Sequence, residues 1–79
     1  MANVAKVVTI IGSSPQGFAE AADVAVQEAA RTLRGITGAD VISMSAEVAD
    51  GRITEYRTTV NIAFAVERSG GGGGSSSGN

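Results

Sequence analysis

The sequence predicts an α+β subunit with a β-α-β-β order of elements, in which a three-stranded antiparallel sheet wraps around one helix. Three observations lead to this prediction. They are a β-branched apolar run near the N-terminus, one segment with apolar residues at a helical spacing, and two segments in which apolar and polar residues alternate. All of them lie within the first 68 of 79 residues. Residues 1–68 are therefore expected to form the single domain.

The remaining residues, 69–79, read SGGGGGSSSGN. This composition is typical of a flexible linker, and none of its side chains can join a core. The sequence therefore predicts a flexible Gly/Ser tail.

The first predicted strand is Lys6–Ile11, which is β-branched and almost wholly apolar. Such a run is typical of a strand that is covered on both faces, and Gly12 is expected to end it. Ser13, Ser14 and Pro15 then predict a helix that starts near Pro15. A serine can cap the free N–H groups of a first turn, and proline there loses no hydrogen bond.

The helix is predicted to end near Arg34 and to bury a stripe made mostly of alanine. Small side chains let a helix lie close to a sheet, which suits a helix held in a curved sheet. Gly35 is expected to supply the left-handed residue that ends the helix. The stripe consists of Phe18, Ala22, Ala25, Ala29 and Leu33, flanked by Ala21, Val26 and Ala30.

Two alternating segments predict the second and third strands, the former from Asp40 and the latter over Ile53–Glu67. Asp50 and Gly51 between them indicate a hairpin, because glycine tolerates the positive φ of a tight turn. The third strand would extend about 45 to 50 Å at roughly 3.3 Å per residue, more than the second strand alone can pair. Its far half is therefore expected to pair with the first strand, in the order 1-3-2.

Alternation also assigns residues to the faces of this sheet. The helix is expected on the face of the third strand that carries Val60, Ile62, Phe64 and Val66. On the second strand, Ile42, Met44, Ala46 and Val48 are predicted to share one face, and Val41, Ser43, Ser45 and Glu47 the other. Since no second helix exists to cover the far face, that face meets solvent or another subunit, and function is expected there.

Composition excludes several classes of function. The chain has no cysteine and no histidine, which excludes disulfides, thiolate metal sites and Ser-His or Cys-His catalysis. Its six basic residues are scattered and the net charge is −2, so a nucleic acid is not an expected partner. A domain this small usually needs self-association when disulfides and metals are absent. A non-enzymatic homo-oligomer is expected.

The predicted compartment is the cytoplasm. The longest uncharged apolar stretch, Val7–Ile11, is far too short to cross a bilayer, so no membrane partner is expected. The N-terminus shows no signal-peptide pattern. The lack of cysteine, however, fits an exported protein equally well.

The segments VVTIIGSSP, TLRGI and DGRITEYRTTVNIAFAVE resemble the dodecin family, and the resemblance covers about Val4–Glu67. It implies a hollow homododecamer with ligands at subunit interfaces. Flavin-binding members carry a tryptophan at the start of the second strand and a glutamine in the third. Those positions correspond here to Gly38 and Arg57, so only weak binding of flavin is expected, because glycine offers no ring for stacking.

The function implied by this resemblance is a homododecameric shell that binds or sequesters a small ligand, a flavin or a related compound. The candidate ligand-binding residues are Gly38, Ser43, Ser45, Arg57 and Thr59. The alternative is a ligand-free structural or cation-binding dodecamer, in which direct subunit contacts at Gly38 and Arg57 have replaced the pocket.

Charged residues leave two interpretations open. Arg57 could bind a phosphate or a carboxylate, or it could form a salt bridge with Glu55, Glu47 or Asp40 of a neighbouring subunit. Asp40 and Glu47 are candidate ligands for a divalent cation if symmetry brings copies together. Solvated surface carboxylates are the plainer interpretation of the same two residues.

Overall fold

The structure is a computed structural model that describes residues 4–66. Its elements are β1 (Val4–Ser14), α1 (Phe18–Ala30), β2 (Ile36–Ala49) and β3 (Arg52–Val66). The three strands form one antiparallel sheet in the order β1-β3-β2, with α1 packed on one side. The predicted fold class and strand order are confirmed. The predicted tail, 69–79, lies outside the described residues.

β1 is longer than predicted, and it is covered on one face only. Val8 and Ile10 pack against the core, whereas Val7 and Ile11 are 57% and 60% exposed. Within the single chain the cover on both faces that was predicted for this strand is therefore absent. One helix supplies a single covering layer, so an apolar run on β1 cannot be buried on both sides within one chain.

The start of α1 also differs from the prediction. The Ser14 hydroxyl accepts a hydrogen bond from the backbone N–H of Gln16 at 3.0 Å, in the turn that follows β1. The N-cap residue is Gly17, which makes no side-chain cap bond, and α1 begins at Phe18 rather than at Pro15. Because β1 continues as far as Ser14, the serine stabilises the turn instead of the first turn of the helix.

α1 ends at Ala30, one turn before the predicted end at Arg34. A looser turn follows, in which the N–H of Leu33 donates to the carbonyl of Ala29 at 2.9 Å. Gly35 has the predicted positive φ, 73°. Its carbonyl, however, accepts a hydrogen bond from the N–H of Ala65 at 2.9 Å. Gly35 therefore begins the contact with β3 rather than ending the helix.

The core is built from alanines of α1 and two β-branched residues of β3. Val60 and Ile62 are 0% exposed, and the buried alanines are Ala21, Ala25 and Ala29. Ala22, Val26 and Leu33 pack partly buried beside them, whereas Ala30 is exposed. The alanine stripe is confirmed in character, although its buried centre runs through Ala21 and not through Ala22.

Gly12 shows how close α1 lies to the sheet. A Cβ atom added at Gly12 would stand 2.0 Å from the carbonyl oxygen of Ala21 and 2.9 Å from the backbone nitrogen of Ala25. Both are backbone atoms of the helix, so they cannot move aside as a flexible side chain would. Glycine is therefore required at this position by the helix–sheet distance.

A buried polar contact fixes the N-terminal end of α1 to β3. The hydroxyl of Thr58, which is 1% exposed, donates to the carbonyl oxygen of Phe18 at 2.8 Å. Beside it the rings of Phe18 and Tyr56 meet edge to face, with centroids 4.9 Å apart. Tyr56 and Phe64 are half-buried.

The hairpin between β2 and β3 turns through Asp50 and Gly51, as predicted. Ala49 pairs with Arg52, and the two residues between them have φ values of 54° and 73°. Two successive positive φ angles are the signature of a type I′ turn, which matches the twist of the flanking strands.

The strand order is the predicted one, but it does not arise from a short β2. β2 begins at Ile36 instead of Asp40 and pairs with nearly the whole of β3. β1 pairs with the segment Tyr56–Val66 from the other side. Over most of its length β3 is therefore paired on both edges.

Pairing between β2 and β3 is irregular in three places, of which the shift between Val41 and Ser43 matters most. Val41 lies opposite Val60, on the helix side, although alternation placed it with Ser43, Ser45 and Glu47. That assignment was wrong, because a bulge inserts an extra residue and reverses the alternation from there on.

The contact at Gly12 leads to a stability prediction. We expect Gly12→Ala to lower the free energy of unfolding by about 3 kcal/mol or more, because the added methyl group overlaps helix backbone. Urea unfolding at a fixed protein concentration measures the change. Gly38→Ala is the matched control, since a Cβ there meets nothing within 4 Å. Equal stability of the two variants would contradict the close-contact interpretation.

Candidate functional site

The side of the sheet turned away from α1 is called the open face. Residues directly opposite each other on antiparallel strands share a face, so the pairing defines its members. The open face consists of Ala5, Val7, Thr9, Ile11 and Ser13 on β1, of Arg52, Glu55, Arg57, Thr59, Asn61, Ala63 and Ala65 on β3, and of Gly38, Asp40, Ser43, Ser45, Glu47 and Ala49 on β2. All seven residues proposed from the sequence as ligand or cation contacts lie on this one face.

Small side chains form the middle of the open face. Ser43 lies opposite Thr59, and Ser45 lies opposite Arg57. Ser43 and Ser45 are exposed and Thr59 is half-buried. Hydroxyl groups of this kind can both donate and accept hydrogen bonds, and their small size leaves the surface flat. A planar molecule could lie against it.

Gly38 stands near the start of β2, opposite Ala63. A Cβ atom added there would meet no other atom within 4 Å. No group of the described chain has therefore filled the place of the missing side chain. The space beside Gly38 can be taken by a ligand or by a neighbouring subunit.

Arg57 is held by a contact within its own chain. Its Nη2 atom forms an ion pair with Oε2 of Glu47, and the two side chains are 31% and 59% exposed. Glu47 in turn lies directly opposite Glu55, so two carboxylates face each other and the guanidinium compensates one of them. The salt bridge considered from the sequence ran to a neighbouring subunit, whereas the pair between Arg57 and Glu47 forms within one chain.

The two candidate cation ligands lie far apart. Asp40 is opposite Asn61 and Glu47 is opposite Glu55, six positions along β3, which is about 20 Å at roughly 3.3 Å per residue. Within residues 4–66 no group of three or more acidic, histidine or cysteine side chains could hold a metal ion. Asp40 and Glu47 of one chain cannot reach the same cation.

A second uncovered surface was missed in the sequence. α1 covers β1 and β3 but, apart from Ile36, leaves the helix side of β2 bare. Four exposed apolar side chains, three on β2 and one at the adjoining start of β3, form what we call the β2 stripe. Its members and their exposed fractions are Val41 (53%), Met44 (58%), Val48 (64%) and Ile53 (49%). The lengths of the elements could have revealed it, because a single 13-residue helix cannot cover the apolar side of three strands with 11 to 15 residues each.

A cleft of the described chain lies elsewhere. It has a volume of about 540 Å³ and lies beyond the end of α1, where the lining residues are Thr32, Leu33, Arg34, Gly35, Phe64, Ala65 and Val66. None of the seven residues predicted for the site lines it. Between Val4 and Val66, moreover, no helix is both long and apolar enough to cross a membrane.

Fold and site together define a class of protein: a small β-α-β-β subunit whose single sheet leaves a polar face open. The family model for dodecin matches residues 4–67. The chain therefore belongs to the dodecin family.

Solved dodecin structures are similar to this chain. An arginine-to-alanine mutant of the Thermus thermophilus protein is 25% identical, with a TM-score of 0.81 over 85% of this chain and 100% of that one. Dodecin from Streptomyces coelicolor is 27% identical, with a TM-score of 0.80 over 85% and 96%. Dodecin from Streptomyces davaonensis is 24% identical, with a TM-score of 0.81 over 86% and 100%. Comparison with curated proteins gave no match.

The arrangement of Glu47, Glu55 and Arg57 leads to a second prediction. Loss of the Arg57 guanidinium should destabilise the fold more than loss of the Glu47 carboxylate. Arg57→Gln leaves the facing carboxylates of Glu47 and Glu55 uncompensated, whereas Glu47→Gln removes the repulsion between them. We expect Arg57→Gln to lower the free energy of unfolding by about 1 kcal/mol and Glu47→Gln by less than about 0.5 kcal/mol.

Urea unfolding in dilute buffer and in 0.5 M salt provides the measurement. The difference between the two variants should shrink in salt, because exposed charges are screened. A larger loss for Glu47→Gln than for Arg57→Gln would show that the repulsion between Glu47 and Glu55 is not significant.

Proposed function

We propose that this protein assembles as a homododecameric shell and sequesters a small planar ligand between its subunits. The observation that carries the proposal is the open face, on which a flat hydroxyl-lined surface, an open space at Gly38 and an oriented Arg57 occur together. Family membership favours a flavin or a related ring system, bound weakly because no tryptophan stands at Gly38.

Exposed apolar surface supports assembly. In the described chain the buried apolar side chains are three alanines, Val60 and Ile62, which make a very small core. At the same time Val7 and Ile11 on the open face and the four residues of the β2 stripe are about half exposed or more. Apolar surface on this scale marks a contact surface, and association with further copies would bury it.

Distances within one subunit support a ligand position between subunits. Gly38 lies opposite Ala63, and Arg57 lies six positions away on β3, or about 20 Å. A small ring system cannot span that distance. A ligand that contacts both positions therefore has to lie between the Gly38 region of one copy and the Arg57 region of another.

The proposed role is binding and not turnover. Acid–base or nucleophilic catalysis needs a group that can move a proton or be activated, and this sequence has neither histidine nor cysteine. The carboxylates of the open face are exposed or half-buried. We propose that the shell buffers the free concentration of its ligand, with the cytoplasm as its compartment.

One observation favours a second function. Because Glu47 already occupies Arg57, the polar groups of the open face could serve subunit contacts alone. The chain would then form a ligand-free structural dodecamer, or one that binds divalent cations where copies meet. Such a particle would be colourless, and its stability would respond to salt or to added divalent cations.

Native mass spectrometry of the purified protein tests the assembly. We expect twelve subunits with additional mass from retained ligand, whereas a bare twelve-subunit particle would favour the second function. Met44→Asp should lower the number of subunits per particle, because it puts a charge into the β2 stripe. Val24→Asp is the control, since Val24 is an exposed apolar position on α1 (46%, against 58% for Met44). A monomeric wild type would contradict both functions.

Restoring an aromatic side chain tests the ligand site. Because the space at Gly38 is open, we expect Gly38→Trp to raise the affinity for riboflavin about tenfold, on the scale of one aromatic stacking contact. Quenching of flavin fluorescence measures it. Gly38→Ala is the control and should give no gain. If Gly38→Trp also gives none while the oligomer persists, the face is closed to planar ligands.

A further inference from the structure

The charges of the open face are not balanced. It has two guanidinium groups, of Arg52 and Arg57, and three carboxylates, which belong to Asp40, Glu47 and Glu55. Arg52 lies at the end of the face, beside the hairpin turn, and Lys6 lies opposite Phe64 on the helix side. Three negative charges therefore stand against two positive charges on the surface proposed to hold the ligand, and the positive charge among its hydroxyl groups is that of Arg57.

The positive charge of Arg57, which lies opposite Ser45, is also occupied. Glu47 contacts the guanidinium of Arg57, and Glu55 lies directly opposite Glu47. In the part of the chain that the structure describes, neither Glu55 nor Asp40 forms an ion pair. An anionic group that approached Arg57 would have to displace Glu47, and it would then lie beside two carboxylates.

A neutral or cationic group does not have to displace Glu47 and is not repelled by the carboxylates. It leaves the pair between Arg57 and Glu47 intact and can bind through the hydroxyls of Ser43, Ser45 and Thr59. A cationic group also gains from the uncompensated carboxylates. These charge effects grow when facing subunits exclude water, because Coulomb interactions strengthen as the effective dielectric constant falls.

We infer that the open face takes neutral or cationic planar compounds and discriminates against anionic ones, including phosphate esters of the same ring system. This inference rests on the proposed function and names the class of ligand for that face.

Riboflavin and FMN are suitable probes, because they share one ring system and differ by a phosphate group. Fluorescence titration of the assembled wild-type protein in dilute buffer should give at least about fivefold tighter binding of riboflavin, on the scale of exposed charge pairs. In 0.5 M salt the ratio should fall to about twofold or less, because these charges are screened.

Two variants test whether the ratio of the riboflavin and FMN affinities depends on Glu47 and Glu55. Glu47→Gln frees Arg57 and should raise the affinity for FMN by about threefold, and Glu55→Gln should have a similar or smaller effect. Both should change the affinity for riboflavin by less than the affinity for FMN. Glu28→Gln removes a carboxylate from α1, where it pairs with Arg31, and should change neither affinity.

Equal or tighter binding of FMN by the wild type would overturn the inference, and so would a ratio that Glu47→Gln does not move. If the wild type binds neither flavin measurably, Gly38→Trp is titrated in the same way. Binding of neither flavin by that variant would overturn the proposed function and the inference with it. Tighter FMN binding by it would overturn the inference alone.

Discussion

At Gly12 the backbone of β1 comes so close to α1 that one added carbon atom would overlap the carbonyl oxygen of Ala21. This contact sets how the helix lies. A helix at so short a distance buries only small side chains, and it packs mainly on β1 and β3. Apart from Ile36, the helix side of β2 stays uncovered, and so does the open face. The exposed apolar surface and the exposure of the open face thus follow from the same close packing.

The irregular pairing of β2 determines which residues share the open face. In a regular strand, Gly38 and Asp40 would lie on the side opposite to Ser43 and Ser45, because side chains alternate. The shift between Val41 and Ser43 reverses the alternation, so both pairs of residues lie on the same side. The bulge therefore unites the two halves of the candidate site, and it turns Val41 towards the side of the helix.

Sequence reasoning succeeded where one local rule determines the structure. Asp50 and Gly51 require a tight turn, and the alanine stripe requires a closely packed helix. It failed where two local preferences compete. Ser14 could cap a helix, but β1 extends through it, and the apolar run of β1 indicated two covered faces although one chain supplies a single layer. The members of the site were predicted individually. That they share one face depends on a bulge that alternation cannot reveal.

β2 is an edge of the sheet, and in it only Asp40 and Glu47 are charged and no proline or lysine is present. A long edge of this kind is a template on which further strands can grow into fibres. Its three register shifts interrupt the regular spacing of N–H and C=O groups that such growth needs. The irregularity that brings Gly38 and Ser43 to one face thus also makes β2 a poorer template for such growth.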